Sequence, residues 1–265
     1  MEQGRPPELR LFDDPVVGSL LDPMLAMLAG SGPLQDQVLD ALPPGTYGAL
    51  VLRTRYIDDV VTAWTETGIR QLVILGAGLD TRAYRLPSLA GVVVFEADLP
   101  DTQQVKRGRL RGRPPVAGEV RYVALDFNTE SLPAALAAAG FDRSRPAVFV
   151  WEGVTQYLTQ AAVRTTLEFI AGSAPGSVLA FSYVLPSLVG ENSYVGWSAG
   201  LRQQLGSTEP WLFGLDPRTL PSFLDAHGLR LLDDVGDAEY QERYLAPIRR
   251  RLQVNPGERV ALAAV

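Results

Sequence analysis

Short runs rich in β-branched or aromatic residues recur along the chain, separated by stretches of helical composition, and they read as buried parallel strands. The pattern predicts seven of them, at 71–75, 92–97, 121–125, 147–151, 178–184, 230–235 and 259–263. Between the first five lie segments long enough for crossover helices, such as 99–111, 131–139 and 160–171. Alternation of this kind predicts an α/β fold with a parallel sheet covered on both faces. Between strands six and seven the pattern shows no convincing helix, and Pro256-Gly257 marks a turn before the last strand, so a terminal antiparallel hairpin is expected.

Two regions fall outside the alternation. The N-terminal segment 9–67 should be helical, ending in a long helix over 47–66, and a polar, Gly- and aromatic-containing insertion, 186–211, precedes a helix over 217–227. Both are candidates for a substrate cap. With no repeat, low-complexity tract or linker, a single domain over 1–265 is expected.

Composition narrows the chemistry. The 265 residues are 46% hydrophobic and 20% charged, as in a globular protein with a sizeable core. There is no cysteine, which removes thiolate nucleophiles and thiolate-held metals, and the single histidine, His227, removes multi-histidine metal sites. A net charge of −6 is the wrong sign for a general phosphate-backbone binder, so no nucleic-acid partner is expected. The basic residues are 23 Arg and one Lys, Lys106, which excludes a Tyr-x-x-x-Lys dehydrogenase pair because Thr102 stands four residues before it. The polar first ten residues contain no apolar signal core, and nowhere do about 18 apolar residues run together. A soluble, cytoplasmic protein without membrane partners is expected.

The most informative stretch is the strand Leu72-Val73-Ile74-Leu75 followed by Gly76-Ala77-Gly78-Leu79-Asp80-Thr81. At the carboxyl end of a first parallel strand, glycines permit the tight turn and let a ligand approach the backbone. At the end of the second strand a carboxylate can reach a ribose, and Glu96 and Asp98 stand 18 and 20 residues beyond Gly78. Thr81 occupies the position of the third glycine of the pyrophosphate-binding fingerprint, and Asp80 would bring negative charge toward a pyrophosphate, which disfavours NAD. An acidic loop suits instead a ligand carrying an ammonium group and a sulfonium, as S-adenosylmethionine does. Its carboxylate would need a cation, and Arg53-Thr54-Arg55 could supply one in bidentate geometry; the alternative is a solvated helix face.

Those segments, together with Phe95-Glu96-Ala97-Asp98-Leu99-Pro100, Asp126-Phe127 and Trp151-Glu152-Gly153-Val154-Thr155-Gln156-Tyr157-Leu158, resemble the leucine carboxyl methyltransferase family. They resemble most closely its actinobacterial S-adenosylmethionine-dependent O-methyltransferase branch, which includes polyketide O-methyltransferases. Tyr244-Leu245-Ala246-Pro247 and Glu258-Arg259-Val260-Ala261 are similar to that branch too, so the likeness runs from about Leu11 to the end. It implies a class I S-adenosylmethionine methyltransferase (Rossmann-like) fold. It also implies that Arg55 holds the methionyl carboxylate, that Gly76, Ala77, Gly78 and Asp80 line the methionyl moiety, and that Asp98 takes the ribose hydroxyls with Glu96 and Leu99 nearby. Asp126 and Phe127 would frame the adenine, and Glu152 with Gly153 would face the ammonium end. By the same resemblance, most of the first helix that helps cover the cofactor in relatives would be missing ahead of Leu11-Phe12-Asp13-Asp14-Pro15, so the expectation leaves the closure of the site open.

Methyl transfer from a sulfonium is an in-line displacement, so alignment and exclusion of water matter more than acid–base machinery. A carboxylate acceptor is already a nucleophile, whereas a phenol, with a pKa near 10, gains from a base or a nearby cation. Tyr157 and His227 are the catalytic candidates, with Glu152, Arg249 and Arg250 as further acid–base or cationic groups. Tyr157, Tyr183, Trp197, Trp211, Tyr244 and Arg249 are candidates to face the substrate, though aromatic core packing explains each ring equally well. The expected reaction is O-methylation of a carboxyl or phenolic hydroxyl group of a small, polyketide-like natural product, free or bound to a carrier protein. The cluster Lys106, Arg107, Arg109, Arg111 and Arg113 reads as a solvated helix end or as a docking patch for such an acidic carrier.

Two rival readings have specific residues. Gly196-Trp197-Ser198-Ala199-Gly200 matches the Gly-x-Ser-x-Gly elbow of α/β-hydrolases, with Asp216 and His227 following in chain order. The stretch 190–195 is too short and polar for the central strand such an elbow needs, and Asp216-Pro217 and His227-Gly228 read as the two ends of a helix. An NAD-dependent dehydrogenase shares the glycine loop and the strand-two acids but lacks a convincing proton donor.

Overall fold

The computed structural model describes residues 2–21, 42–127, 129–190 and 211–265. Seven strands form one sheet in the order β3-β2-β1-β4-β5-β7-β6. They are β1 (Gln71–Leu75), β2 (Val93–Asp98), β3 (Glu119–Ala124), β4 (Val148–Trp151), β5 (Val178–Val184), β6 (Arg230–Val235) and β7 (Glu258–Ala264). The first five are mutually parallel, and β7 runs antiparallel to both β5 and β6. The expected terminal hairpin exists, but its second strand inserts between β5 and β6 instead of extending the edge.

The helices among the described residues are α1 (Val17–Leu20), α2 (Thr46–Glu66), α3 (Arg82–Arg85), α4 (Pro100–Arg109), α5 (Leu132–Ala138), α6 (Gln160–Ala171), α7 (Leu220–Asp225) and α8 (Asp237–Tyr240). Successive strand residues point to opposite faces, and the two cores follow that period. Leu72 and Ile74 of β1 join Leu52, Ile57 and Val61 of α2 on one face. Val73 and Leu75 join Phe149 and Trp151 of β4 and Leu167 and Ile170 of α6 on the other. Central β1 is buried at all five positions, which is why it carries no polar alternation.

Several elements depart from the pattern-based expectation. Between β1 and β2 the crossover contracts to α3 and a 3-10 turn, Pro87–Leu89. The link between β6 and β7, expected to lack a helix, holds α8 and a π-helical turn, Gln241–Leu245. The start of α8 is fixed when the Glu239 carboxylate accepts a hydrogen bond from the Gly236 N–H at 2.8 Å. The helix expected over 217–227 is shortened to α7, because the Asp216 carboxylate accepts from the Arg218 N–H at 2.9 Å and closes a separate turn first. Of the two expected caps, the N-terminal one includes α1 and α2, and the stretch 22–41 lies outside the described residues. The insertion opens with a 3-10 turn, Pro186–Leu188, and a bridge between Gly190 and Trp211, with 191–210 outside the described residues. Among the described residues no helix is long and apolar enough to cross a membrane.

Candidate functional site

The turn after β1 is built for close packing. Gly76 has φ +70°, and a Cβ there would stand 2.3 Å from a Val154 methyl group, so any side chain would meet both backbone strain and a clash. The Gly76 and Ala77 N–H groups both donate to the Ala97 carbonyl of β2, at 2.8 and 3.0 Å. Around Gly78, by contrast, a Cβ would find only one atom, at 3.9 Å, so that edge of the loop faces open space. Asp98, at the end of β2, accepts from the Gly78 N–H at 2.5 Å and from its neighbour Leu99 N–H at 2.7 Å.

Beside this turn lies a cavity of about 450 Å³. The loop 76–82 forms one wall, Glu152 and Gly153 beyond β4 a second, and Val51, Arg53 and Thr54 of α2 a third. Glu2, Gln3, Phe12, Asp14 and Val17 close it from the N-terminal side. The closure of the site that the sequence left open is therefore supplied in part by residues 2–17. This strap is pinned by buried carboxylates: Glu2 pairs with Arg250 at 2.8 Å, and Asp14 accepts from Thr81 at 2.6 Å.

Charges dominate the lining. Arg82 is buried and meets Asp58 at 2.7 Å, Glu152 at 2.8 Å and also Asp80. Arg53 pairs with Glu152 at 2.8 Å and with Glu258 of β7, while among the described residues its Nη2 has no hydrogen-bond partner and it borders Gly153. Burial pushes the Glu152 carboxyl up, but the Arg82 and Arg53 guanidinium groups outweigh it and hold the group down at about 2. Glu152 is thus a fixed anion facing the cavity.

The structure brings together Gly76, Ala77, Gly78, Asp80, Glu152 and Gly153 along this cavity. Arg55 is elsewhere: its Nε bonds Asp59 at 2.9 Å, its Nη1 bonds the Leu11 carbonyl at 2.7 Å, and its guanidinium covers the Tyr244 ring. Residues two apart on a helix point to different sides, so only one arginine of the Arg-Thr-Arg motif can face the sheet, and Arg53 is that one. The Arg55–Asp59 pair at i,i+4 was the available signal. Glu96 does not reach the cavity either. It is buried beneath α4 against Lys106, 2.7 Å away, and burial pushes its carboxyl up to about 7 despite that lysine.

Asp98 and Leu99 sit at the mouth of the loop outside the cavity lining, Asp126 is bonded through its N–H to Glu130 at 2.8 Å, and Phe127 lines a separate groove with Leu132 and Thr166. The substrate candidates do not converge. Tyr183 is fully buried with its hydroxyl donating to Asp234 at 3.0 Å, which makes it a core residue. Tyr157 is exposed on a 3-10 turn, Tyr244 packs between Arg55 and Tyr240, and Arg249 borders a surface hollow beside Glu242. Trp211 bridges to Gly190, and Trp197 lies outside the described residues. His227 is at the end of α7 with Nδ1 2.7 Å from the Phe223 carbonyl, so it does not enter the cavity. The sequence did not single out Arg82, Asp58 or Glu258, whose partners lie far along the chain.

The same placements weaken both rivals. Asp216 is engaged by Arg218 at 2.6 Å, not by His227, whose Nδ1 faces its own helix, and Ser198 lies outside the described residues. The lone lysine is consumed by Glu96.

A sheet of this order with a ligand-sized cavity at the end of β1 defines a class I methyltransferase fold. A solved structure of a "putative methyltransferase" from Thermobifida fusca superposes with a TM-score of 0.56 over 98% of each chain at 18% identity, which shows that fold. Residues 1–171 match the family model described as leucine carboxyl methyltransferase, and the chain belongs to that family. A "putative S-adenosyl-L-methionine-dependent methyltransferase" of Mycolicibacterium gilvum is 46% identical over 143 residues, 53% of this chain and 46% of that protein. One of the same description from Mycobacterium avium is 38% identical over 190 residues, 68% of this chain and 61% of that protein. The chain thus spans about half the length of the curated relatives it matches.

Proposed function

We propose that this protein is an S-adenosyl-L-methionine-dependent O-methyltransferase that acts on a carboxyl group of a small, polyketide-like natural product. The observation that carries the donor assignment is the charge of the cavity lining. Four carboxylates, Glu2, Asp14, Asp80 and Glu152, face three guanidinium groups, Arg53, Arg82 and Arg85. A wall with excess negative charge suits a donor that carries an ammonium and a sulfonium against one carboxylate, and it repels a pyrophosphate. The relatives' descriptions support the same donor.

The residues present fit that donor. Asp80 and Glu152 would hold its ammonium group, and the unbonded Nη2 of Arg53 would take its carboxylate in place of Arg55. The open edge of the loop at Gly78 leaves room for the nucleoside, with Asp98 beside it as the ribose partner. When bound, the donor supplies an electrophilic methyl group on sulfur. The chain's own part is to align that methyl with the acceptor oxygen and exclude water, for which the strap 2–17 is placed.

The acceptor assignment rests on proton chemistry. Glu152, held at about 2, is too weak a base to take a phenolic proton, and His227 does not line the cavity. A carboxylate acceptor needs no base, so it is favoured over a phenol. Calorimetric titration with S-adenosylhomocysteine and with NAD tests the donor. The homocysteine nucleoside should bind at least about tenfold more tightly, and tight binding of NAD alone would overturn the reading. A panel of aryl carboxylic acids against the matching phenols, assayed with labelled donor, tests the acceptor.

A further inference from the structure

Helix α4 buries one stripe, Gln103, Lys106 and the following Leu110. Gln103 donates to the Glu96 and Val123 carbonyls at 2.9 and 2.8 Å, and Lys106 is consumed by Glu96. What remains is exposed: Val105, Arg107 and Arg109 on α4, and Arg111 in the turn that follows, where it lines one surface hollow with Arg107. Arg113 follows in the next loop. Among the described residues none of these four arginines has a carboxylate within ion-pair distance. Other exposed arginines, such as Arg143, Arg145, Arg230 and Arg251, share that state, but among the described residues only here do four of them fall within seven positions.

Their other contacts leave the charge unneutralised. Arg107 lies 5.1 Å over the Tyr122 ring, Arg109 reaches the Leu20 carbonyl, and Arg113 reaches the Ser19 hydroxyl at 3.3 Å. The same stretch exposes aliphatic side chains, Val105 at 47% and Val116 at 40%. Unpaired cations beside exposed aliphatics are the composition of a protein-binding surface, where apolar anchors supply affinity and charges supply orientation. The surface also touches the cavity: Arg109 and Arg113 hold α1, and Val17 of α1 is part of the cavity wall.

We propose that the outer face of α4 docks an acidic protein, one presenting a carboxylate-rich helix with an aliphatic anchor to Arg107, Arg111, Val105 and Val116. Charge complementarity selects this occupant. The whole chain carries −6, so a long polyanion such as nucleic acid gains at this patch and loses over the rest of the surface, while a small acidic domain can meet the patch alone. That the docked protein carries the methyl acceptor to the mouth beside α1 rests on the methyltransferase reading; the docking itself does not.

The test uses the whole chain and, as probe, a recombinant acidic acyl carrier protein in its apo form, with affinity read by fluorescence anisotropy. The Arg107→Glu/Arg111→Glu variant should bind at least about tenfold more weakly. Arg230→Glu/Arg251→Glu, which reverses two exposed charges elsewhere, should change binding less than about twofold, and Val105→Ser should weaken it without altering its salt dependence. Equal loss in both charge variants, no binding by the wild type, or tighter binding of single-stranded DNA or phosphatidylserine vesicles than of the carrier would overturn the proposal. S-adenosylhomocysteine titrated into the Arg107→Glu/Arg111→Glu variant should bind as in the wild type. Failure of both proteins to bind it would sink the donor assignment and leave the docking result standing.

Discussion

Arg82 and Arg111 carry the same guanidinium group in opposite settings. Arg82 is buried among Asp58, Asp80 and Glu152, while Arg111 stands in solvent with no carboxylate partner among the described residues. Between them in character is Lys106, as buried as Arg82 but with a single partner. The difference teaches that a cation's role here is set by how many anions share its burial. In the cavity wall two arginines fix Glu152 as a permanent anion, which helps define the ligand's charge. On α4 the charge is left uncommitted and faces outward.

The largest effect that separates the two settings is expected from Arg82→Met. Buried Asp58 and the half-buried Asp80 and Glu152 lose their common partner, and removing one member of a buried network typically costs about 3–5 kcal/mol. Urea unfolding should show it, and a loss below about 1 kcal/mol would mean that the network is solvated. Lys106→Met comes next, at about 3 kcal/mol near pH 8, because it strands the ionised Glu96. The sign with pH is set by the raised Glu96 carboxyl, which titrates at about 7. Lys106 lowers that carboxyl, so in the variant it should rise further and take up a proton more readily, and the penalty should shrink as pH falls from 8 to 6. A pH-independent penalty would show that Glu96 keeps one protonation state throughout.

Glu152→Gln should act on binding as well as on folding. Loss of the fixed anion is expected to weaken S-adenosylhomocysteine by about tenfold, or 1.4 kcal/mol, in calorimetry. In the wild type the depressed Glu152 carboxyl contributes stability that is present above its unfolded value of 4.5 and is lost as pH falls toward 2. The variant should lack that part of acid unfolding. The smallest effect is expected for Arg107→Glu/Arg111→Glu, whose stability should stay within about 0.5 kcal/mol of the wild type by thermal unfolding. A larger loss would place those arginines with Arg82 instead of apart from it.

What the sequence reveals follows the range of the interactions involved. Strands β1 and β5 have the expected bounds because each is a short apolar or β-branched run with clear ends; β6 and, over 160–171, α6 match as well. The glycine turn, Asp80 and Glu152 were readable because they sit immediately after strands, where ligands gather in open α/β sheets. Tyr183 and Glu96 misled for one reason: each is satisfied by a partner that local pattern does not reveal, Asp234 51 residues away and Lys106 ten residues on across a helix. The short helix α8 and its π-helical turn have too few residues for a periodic signal. Arg53 and Arg55 could have been separated by the helical period alone.

The insertion of β7 between β5 and β6 has a consequence for biosynthesis. While the chain grows from its N-terminus, β5 shows an open edge and β6 has no neighbour in the sheet until residues 258–264 have emerged. The sheet is therefore completed by its last-made strand, and a ribosome stalled before that point would hold a nascent polypeptide with two unsatisfied rims exposed to chaperones and to its own siblings on the polysome.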